Sequence, residues 1–402
     1  AVGSASPILN LLLVLFIGIS MGTSIMVSQF FGAKDRESLS KTIGSTITLT
    51  AVSSLIIMVL GSVTIRPLLK MLNTPASIID WCTSYLLILI VGIMGVAYYN
   101  MFCGILRGLG DSLSALVYLL VATVINIVLD LWFVAGLQMG VAGVALATVI
   151  AQMVSAVLCF FKLKRMTDVF DLKFKYLKPD MENIMTILRL GLPSGITQAI
   201  FSMAMVVVQS LTNSFGEMVI AANVIIMRVD GFAMMPNFSF GTAMTTYSGQ
   251  NVGAREFGRV HKGAKQGTII AAGTSAAITG LILIFGKYLM GIFTNTSELV
   301  TLSANMMKIL AVGYIAMAVT QSLSGVMRGA GDTMTPMWIS IVTTVFIRVP
   351  LAYGIAHFTK TPELPGGRYE CIWVSLLISW VLGAVLTVVF YRIGKWKNKG
   401  LE

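Results

Sequence analysis

The sequence has 402 residues, of which 56% are hydrophobic and only 11% charged. Soluble globular domains carry about 25% charged residues, so this composition excludes an ordinary soluble protein and predicts an integral membrane protein. The net charge of +11 does not indicate nucleic-acid binding, because the Lys and Arg residues are dispersed over loops rather than gathered on one patch.

Long apolar runs bounded by short polar loops follow one another along the whole chain. A run of about 20 residues can cross the hydrocarbon core of a bilayer as a helix, and a helix satisfies its own backbone hydrogen bonds there. The sequence therefore predicts an all-α bundle with eleven membrane spans. They cover residues 7–31, 42–65, 80–105, 112–135, 141–161, 190–215, 219–249, 264–285, 300–327, 333–356 and 370–391.

The loops fall into two classes by their content of Lys and Arg. Most of the 28 basic residues lie in one alternating set of loops, and cytoplasmic loops are the ones that collect such residues. This set comprises 32–41, 106–112, 162–189, 251–266, 327–333 and the tail from 392. We therefore predict a multi-pass protein with a cytoplasmic C-terminus.

The chain contains an internal repeat. QFFGAKD, starting at Gln29, returns as QNVGARE at Gln250, and GILRGLGDS, starting at Gly104, returns as GVMRGAGDT at Gly325. Both pairs are offset by 221 residues, and both copies of each motif lie on the basic side of the predicted topology. Two separate motifs that share one offset predict two halves with parallel topology.

The repeat also predicts the domains. Residue 1 corresponds to Ala222, so nothing in the first half matches the span at 190–215. We therefore expect twelve spans in the natural protein, with eleven present here and about 35 N-terminal residues, one span's worth, missing. The predicted fold is two parallel pseudo-repeats of six helices. Its domains are an N-lobe at 1–161 (spans 2–6), a cytoplasmic linker at 162–189, and a C-lobe at 190–402 (spans 7–12) with a basic cytoplasmic tail.

The glycine motifs have a structural explanation. In the repeated RGxGD elements the arginine suits the end of a helix, where a cation complements the dipole, and the glycines permit a left-handed stop. Asp111 and Asp332 can then N-cap the next helices. A phosphate-binding loop is disfavoured, since no strand precedes the glycines. GxxxG spacing predicts close helix packing at the pairs Gly18/Gly22 and Gly191/Gly195.

The sequence shows no catalytic or metal-binding pattern. The four cysteines form no CxxC or other ligand spacing, and both histidines, His261 and His357, fall in predicted loops. No His–carboxylate or Cys–His pair is therefore available inside the membrane. We predict that the protein is not an enzyme and uses no cofactor.

A few charged side chains are predicted to lie well inside spans: Asp130, Arg228, Asp230 and Arg348. Each costs about 2.5 to 3.5 kcal/mol at a helix centre on insertion scales, and intramembrane carboxylates usually mark an ion or proton path. Asn126 precedes Asp130 by one turn on the same helix face. Asn100, Thr148 and Gln152 add oxygen donors in neighbouring helices. Such oxygens suit a hard monovalent cation, or a proton in its place.

The charges in the second half form another candidate. Arg228 and Asp230 point to different sides of their helix, so each needs a partner elsewhere. Asp230 with Arg348 is one interhelical pair that the sequence allows. A structural role and a coupling role both stay open for this second polar pair.

The motifs resemble those of a known family. GTSIMVSQFFGAKD, LRGLGD, NIVLD and GVAGVALATVIAQ, with their echoes in the second half, are similar to multidrug and toxic compound extrusion (MATE) transporters along essentially the whole chain. The resemblance implies two six-helix lobes facing each other across a cavity, in a bacterial plasma (inner) membrane. It also implies export of bulky, often cationic drugs, driven by inward H⁺ or Na⁺. The transporter is then a monomer whose partners are the drug-like molecule, the ion and the lipid bilayer.

The resemblance also implies a site. In the DinF-like branch, the Na⁺ or H⁺ coupling site uses an Asn in the fourth span, an Asn and an Asp in the fifth and a Thr in the sixth. Those places are occupied here by Asn100, Asn126, Asp130 and Thr148. The branch also takes an Asp from its first span, which this sequence lacks. The NorM-like branch places carboxylates in its seventh and tenth spans, and 190–215 and 300–327 contain none.

Four other functions stay open from the sequence. A flippase for a lipid-linked saccharide shares the overall bundle but needs a strongly cationic cavity. A channel needs no two-lobed repeat, and an enzyme needs a catalytic constellation that is not found. An inactive fragment of a transporter is the fourth alternative.

Overall fold

The structure is a computed structural model that describes residues 2–71 and 76–398. Every regular element in these two ranges is helical, which confirms the predicted all-α class. The α-helices are α1 (Val2–Gly32), α2 (Arg36–Met71), α3 (Ala76–Val91), α4 (Ile93–Gly108), α5 (Ser112–Asp130), α6 (Gly140–Lys164), α7 (Met181–Asn213), α8 (Glu217–Gly253), α9 (Phe257–Gly291), α10 (Ser297–Ala311), α11 (Gly313–Gly329), α12 (Met334–Ile341), α13 (Val349–Phe358) and α14 (Cys371–Ile393). Two π-helical segments, Leu131–Gly136 and Val342–Arg348, and two short 3₁₀ helices, Phe174–Leu177 and Lys395–Asn398, complete them.

These helices account for the eleven predicted spans. Within the described ranges, nine continuous helical stretches are long and apolar enough to cross a bilayer, and two bent pairs bring the number to 11. α3 meets α4 at 50°, and α10 meets α11 at 42°. The breaks fall at Gly92 and Val312, where hydropathy continues without interruption and predicts a single straight span.

The 221-residue repeat is present in the backbone as well as in the sequence. Lys34 and Arg255 are equivalent by this offset, and both are non-glycine residues with positive φ, at 58° and 59°. Gly110 and Gly331 are equivalent in the same way, with φ of 89° and 95°. The same left-handed turns therefore end equivalent helices in the two halves.

The carboxylates of both RGxGD aspartates bond the first turn of the next helix, as predicted, although the N-cap position of α12 is Thr333 rather than Asp332. The Asp111 carboxylate accepts from the backbone N of Ser114 at 3.0 Å and from its Oγ at 2.7 Å. Asp332 accepts from the backbone N of Thr335 at 3.2 Å and from its Oγ1 at 2.7 Å. The arginine of each element lies in the last turn of α4 or α11. The structural explanation of this motif is therefore confirmed.

The chain divides into two compact units, Ala1–Gly195 (unit 1) and Ile196–Glu402 (unit 2), and the division falls within α7. In unit 1, α4 packs against α1 and α6. In unit 2, α11 packs against α8, α9 and α14. Because α4 and α11 are equivalent in the repeat, each unit is organised around the same element.

The segment after α6 is ordered against α2. The Arg36 guanidinium donates to the carbonyl oxygen of Asp168 at 3.1 Å and forms an ion pair with Asp171 at 3.1 Å, and this pairing lowers the pKa of the Asp171 carboxyl. Thr48 Oγ1 donates to the carbonyl oxygen of Leu177 at 2.6 Å. α7 then begins inside the predicted linker, so the last part of that range is helical.

Glycines let α1 and α7 pack closely within unit 1. A Cβ on Gly18 would lie 3.1 Å from the carbonyl oxygen of Gly191, and a Cβ on Gly22 would overlap the carbonyl oxygen of Ile187. The two backbones therefore approach each other at small residues, as the GxxxG spacing predicts.

Candidate functional site

α5 and α6 carry the central side chains of the candidate site. Asn126 Nδ2 donates to Thr148 Oγ1 at 3.4 Å, and Thr148 Oγ1 donates to the carbonyl oxygen of Val144 at 3.0 Å. Further along the same helix pair, Ser155 Oγ donates to the carbonyl oxygen of Tyr118 at 2.9 Å. These contacts fix an antiparallel register, because residues later in α5 meet residues earlier in α6. The structure thus brings together two of the four predicted site residues.

Asp130 lies one turn beyond Asn126 and is the last residue of α5. Directly after it the helix changes to π geometry over Leu131–Gly136, and short π segments are frequent at functional sites. The Asp130 Oδ1 is buried and has no hydrogen-bond partner in the described part of the chain. Since most buried polar side-chain atoms are hydrogen-bonded, an oxygen in this position is a candidate ligand for a bound ion.

Asn100 lies on α4, which packs against both α5 and α6. Its Nδ2 donates to the carbonyl oxygen of Val96 at 2.8 Å, and its own backbone carbonyl accepts from Ser20 Oγ at 2.7 Å. Among the described residues, no hydrogen bond links its side chain to the site residues of α5 and α6. Its Oδ1 is therefore the atom left to act as a ligand.

Two more polar side chains belong to the same neighbourhood. Gln152, one turn after Thr148 on α6, has a buried Oε1 with no hydrogen-bond partner in the residues that the structure describes. Tyr85 on α3 is buried and lies near enough to Asp130 for the two to interact electrostatically. Gln152 was expected from the sequence, and Tyr85 was not. The signal for Tyr85 is a phenol inside an apolar span, because its hydroxyl needs a polar partner.

The donor chemistry of this site suits a proton or a small hard cation. Its side chains offer carboxylate, amide and hydroxyl oxygens, which are the ligands that hard cations prefer. Residues 2–71 and 76–398 contain no group of three or more His, Cys, Asp or Glu side chains that could hold a metal ion. Two of these oxygens, Asp130 Oδ1 and Gln152 Oε1, are buried and have no hydrogen-bond partner in the described chain, so they have free ligand capacity.

The second polar pair of the sequence analysis, Asp230 and Arg348, gains a third member in the structure. The Tyr314 hydroxyl on α11 donates to Asp230 Oδ1 at 2.9 Å. No nitrogen–oxygen contact of 4.0 Å or less joins Asp230 to Arg348 in the described chain, so Tyr314 takes the place of a direct ion-pair partner. Arg348 still interacts electrostatically with Asp230, while Arg228 is exposed. A coupling role for the pair stays a prediction.

Known proteins resemble this chain over nearly its full length. The MatE family model matches residues 1–132 and 193–354. The chain is 30% identical over 406 residues to the probable multidrug resistance protein YoeA of Bacillus subtilis, an alignment that covers 99% of this chain and 86% of that protein. It is 24% identical over 405 residues to the probable multidrug resistance protein NorM of Thermotoga maritima, covering 100% of this chain and 86% of that protein.

A solved structure shares the fold. The outward-facing conformation of a multidrug resistance MATE family transporter of the MOP superfamily matches with a TM-score of 0.91 at 24% identity, covering 99% of this chain and 88% of that one. Identity at this level supports a common fold and leaves the roles of individual residues to be argued from the site itself. The predicted two-repeat helical bundle is confirmed.

Proposed function

Because the chain belongs to the MatE family of multidrug efflux transporters, we propose that it exports bulky, often cationic drugs in exchange for an inward H⁺ or Na⁺. Membership makes it a multi-pass membrane transporter rather than an enzyme. The driving ion binds at Asp130, between the side chains of Asn126 and Thr148 on one side and the Oδ1 of Asn100 on another. The observation that carries this proposal is the buried, unpartnered Asp130 Oδ1, one turn from the Asn126–Thr148 hydrogen bond.

Transport follows alternating access. The ion and the drug favour different arrangements of the protein, so the binding of each promotes release of the other. H⁺ and Na⁺ compete, because both neutralise the same carboxylate. One charge that moves through 100 mV supplies about 2.3 kcal/mol, and each pH unit supplies about 1.4 kcal/mol more. For a neutral substrate this supports a concentration gradient on the order of hundreds-fold.

The orientation follows from the basic loops. We place the transporter in a bacterial plasma membrane with its C-terminus in the cytoplasm, because cytoplasmic loops collect Lys and Arg. The turns at Lys34 and Arg255 belong to the basic set and lie on this side. The working unit is a monomer, since one chain carries both halves of the repeat.

Ethidium efflux from drug-sensitive cells tests the proposal. Cells express the full-length protein as wild type, Asp130→Asn or Asp80→Asn, at several pH values and with or without Na⁺. Asp80→Asn is the matched control, because it makes the same chemical change at an exposed position, where Asp80 forms an ion pair with Arg66 at 3.1 Å. We expect efflux to disappear only in Asp130→Asn at equal expression, and the ion dependence of the wild type to identify the ion.

Two results would contradict the proposal. Undiminished efflux by Asp130→Asn would remove Asp130 from the coupling site. Wild-type protein without efflux, together with binding of a lipid-linked saccharide, would favour a flippase instead.

A further inference from the structure

Unit 2 contains a polar cluster that the proposed coupling site does not use. It consists of Asp230 on α8, Tyr314 on α11 and Arg348 at the end of the π-helical segment. The Tyr314 hydroxyl donates to Asp230 Oδ1 at 2.9 Å, and Tyr314 itself is fully buried. The Arg348 Nε is buried and has no hydrogen-bond partner within the described residues. Asp230 is therefore held by one neutral hydroxyl, and the nearby guanidinium does not contact it directly.

The side-chain neighbours of Tyr314 beyond Asp230 include an aromatic ring and a thioether. The Tyr314 ring lies 5.7 Å from the ring of Trp380, and its hydroxyl lies 3.9 Å from the Met307 sulfur. In the part of the chain that the structure describes, the titratable groups that interact with Asp230 are Tyr314 and Arg348. Burying two opposite charges costs free energy of desolvation. Their mutual attraction offsets this cost only when the two groups are in good direct contact, and Asp230 and Arg348 are not. A carboxylate in that position is stabilised when it takes up a proton.

Each member of the cluster lies on a helix with an irregularity. Arg348 ends the π segment Val342–Arg348, and Tyr314 is two residues beyond the 42° bend at Val312. α8 contains Pro236, less than two turns after Asp230. π segments, prolines and breaks are the places where helices bend or change register. A change of charge at Asp230 therefore acts on three elements that can rearrange.

We propose that Asp230 is a second proton-coupling site of this transporter, with Tyr314 and Arg348 as its positioning residues. The inference rests on the proposed ion-driven export. A proton from one side of the membrane adds to an Asp230 carboxylate oxygen, and the same proton leaves to the other side, so no other bond changes. The Tyr314 hydroxyl donates to the carboxylate and can accept from the protonated acid. Arg348 favours return to the ionised form by its charge.

The site is not a repeat copy of the coupling site in unit 1. Asp130 corresponds by the 221-residue offset to Leu351, and Asp230 corresponds to Leu9. The two carboxylates therefore occupy different positions of the repeated sequence, and each can carry its own proton. Protonation of one site does not substitute for protonation of the other.

The number of coupled protons is measurable from a limiting gradient. Purified protein is reconstituted in Na⁺-free vesicles with the membrane potential held at zero by valinomycin and equal K⁺, and with the lumen about one pH unit more acidic than the medium. Each coupled proton then contributes about tenfold to the steady-state ratio of free ethidium inside to outside. The limiting ethidium ratio depends on the number of protons exchanged per ethidium and not on the number of active protein molecules. If Asp230 had only a structural role, its replacement would leave this ratio unchanged.

We expect Asp230→Asn to lower the limiting ethidium ratio about tenfold relative to wild type. Glu217→Gln is the matched control, because it makes the same kind of chemical change at an exposed position at the start of the same helix, and it leaves the ratio unchanged. Tyr314→Phe keeps the ratio and moves the pH of half-maximal transport upward, since it removes only a donor to the carboxylate.

Three results would overturn the inference. An Asp230→Asn ratio equal to wild type would exclude Asp230 as a proton carrier while leaving the proposed function intact. If Asp230→Asn does not fold, an unchanged pH profile in Tyr314→Phe has the same meaning. A wild-type protein that accumulates no ethidium under either a pH or a Na⁺ gradient would overturn the proposed ion coupling and this inference with it.

Discussion

Replacing Thr148 by Val tests what a single oxygen contributes to ion binding. Val has nearly the volume of Thr, so the change removes the Oγ1 and little else. In the structure this oxygen accepts a hydrogen bond from Asn126 at 3.4 Å, which is longer than the usual range of about 2.7–3.2 Å, so the bond is weak. Its loss should therefore lower the free energy of unfolding by no more than about 1 kcal/mol.

The effect on the ion should be larger. Interactions of a polar group with a charged partner contribute about 1.5 to 3 kcal/mol, which corresponds to about 10- to 100-fold in ion affinity. We therefore expect the half-saturating concentration of the driving ion to rise at least about tenfold in Thr148→Val, with the maximal rate of ethidium efflux retained. The assay is initial efflux rate against pH and against Na⁺ concentration in inverted membrane vesicles.

Two further variants make this result specific. Thr148→Ser keeps the hydroxyl and should keep the ion dependence of the wild type. Thr123→Val is the matched control, because Thr123 lies on the exposed side of α5 and its Oγ1 donates only within its own helix, to Leu119 at 2.9 Å. Thr148→Val with the ion dependence of the wild type would refute a ligand role and reduce the Asn126–Thr148 contact to helix packing.

The other predictions concern stability in detergent. Gly22→Ala places a Cβ against the carbonyl oxygen of Ile187 and should destabilise the protein by about 1–3 kcal/mol, whereas Gly273→Ala, with no atom within 4 Å of its Cβ, should be neutral or stabilising; equal thermal midpoints would contradict this. Asp111→Ala removes the N-cap of α5 and should cost about 0.5–2 kcal/mol at neutral pH. Burial opposes ionisation of this carboxyl, but hydrogen bonds from Ser114 and the Lys162 ammonium lower its pKa overall from 3.8, so its contribution is present above that value and is lost as the pH falls through the folded-state pKa. A wild-type stability that exceeds that of Asp111→Ala equally at acidic and neutral pH would refute this assignment.

The number of spans could be predicted from the sequence alone. Whether a segment can cross the bilayer depends on the hydropathy of about 20 consecutive residues, and the sequence gives that directly. The bends at Gly92 and Val312 were not predictable in the same way. Hydropathy is continuous across both of them, and what distinguishes Gly92 is a close contact in the folded protein: a Cβ there would overlap the Val149 side chain of α6. The need for a glycine at this break is thus set by the neighbouring helix.

The candidate site was predictable in part. An intramembrane carboxylate with an Asn one turn earlier is visible in the residues alone, and the resemblance implies Thr148 as its neighbour. Tyr85 and Tyr314 were missed, because a tyrosine in a span has no periodic or charge signature. The sequence allowed Asp230 and Arg348 as one interhelical pair, and the geometry places the Tyr314 hydroxyl at the carboxylate.

The sequence by itself determined the class of the protein, its spans, its repeat and the turns that end the repeated helices, since these depend on hydropathy and on local backbone chemistry. The tertiary structure alone decided which polar groups meet. Contacts such as Asn126–Thr148 and Tyr314–Asp230 join residues 22 and 84 positions apart, and their partners follow from the packing register of helices. That register depends on how the side chains of two helices fit together, so it cannot be predicted from the sequence of either helix alone.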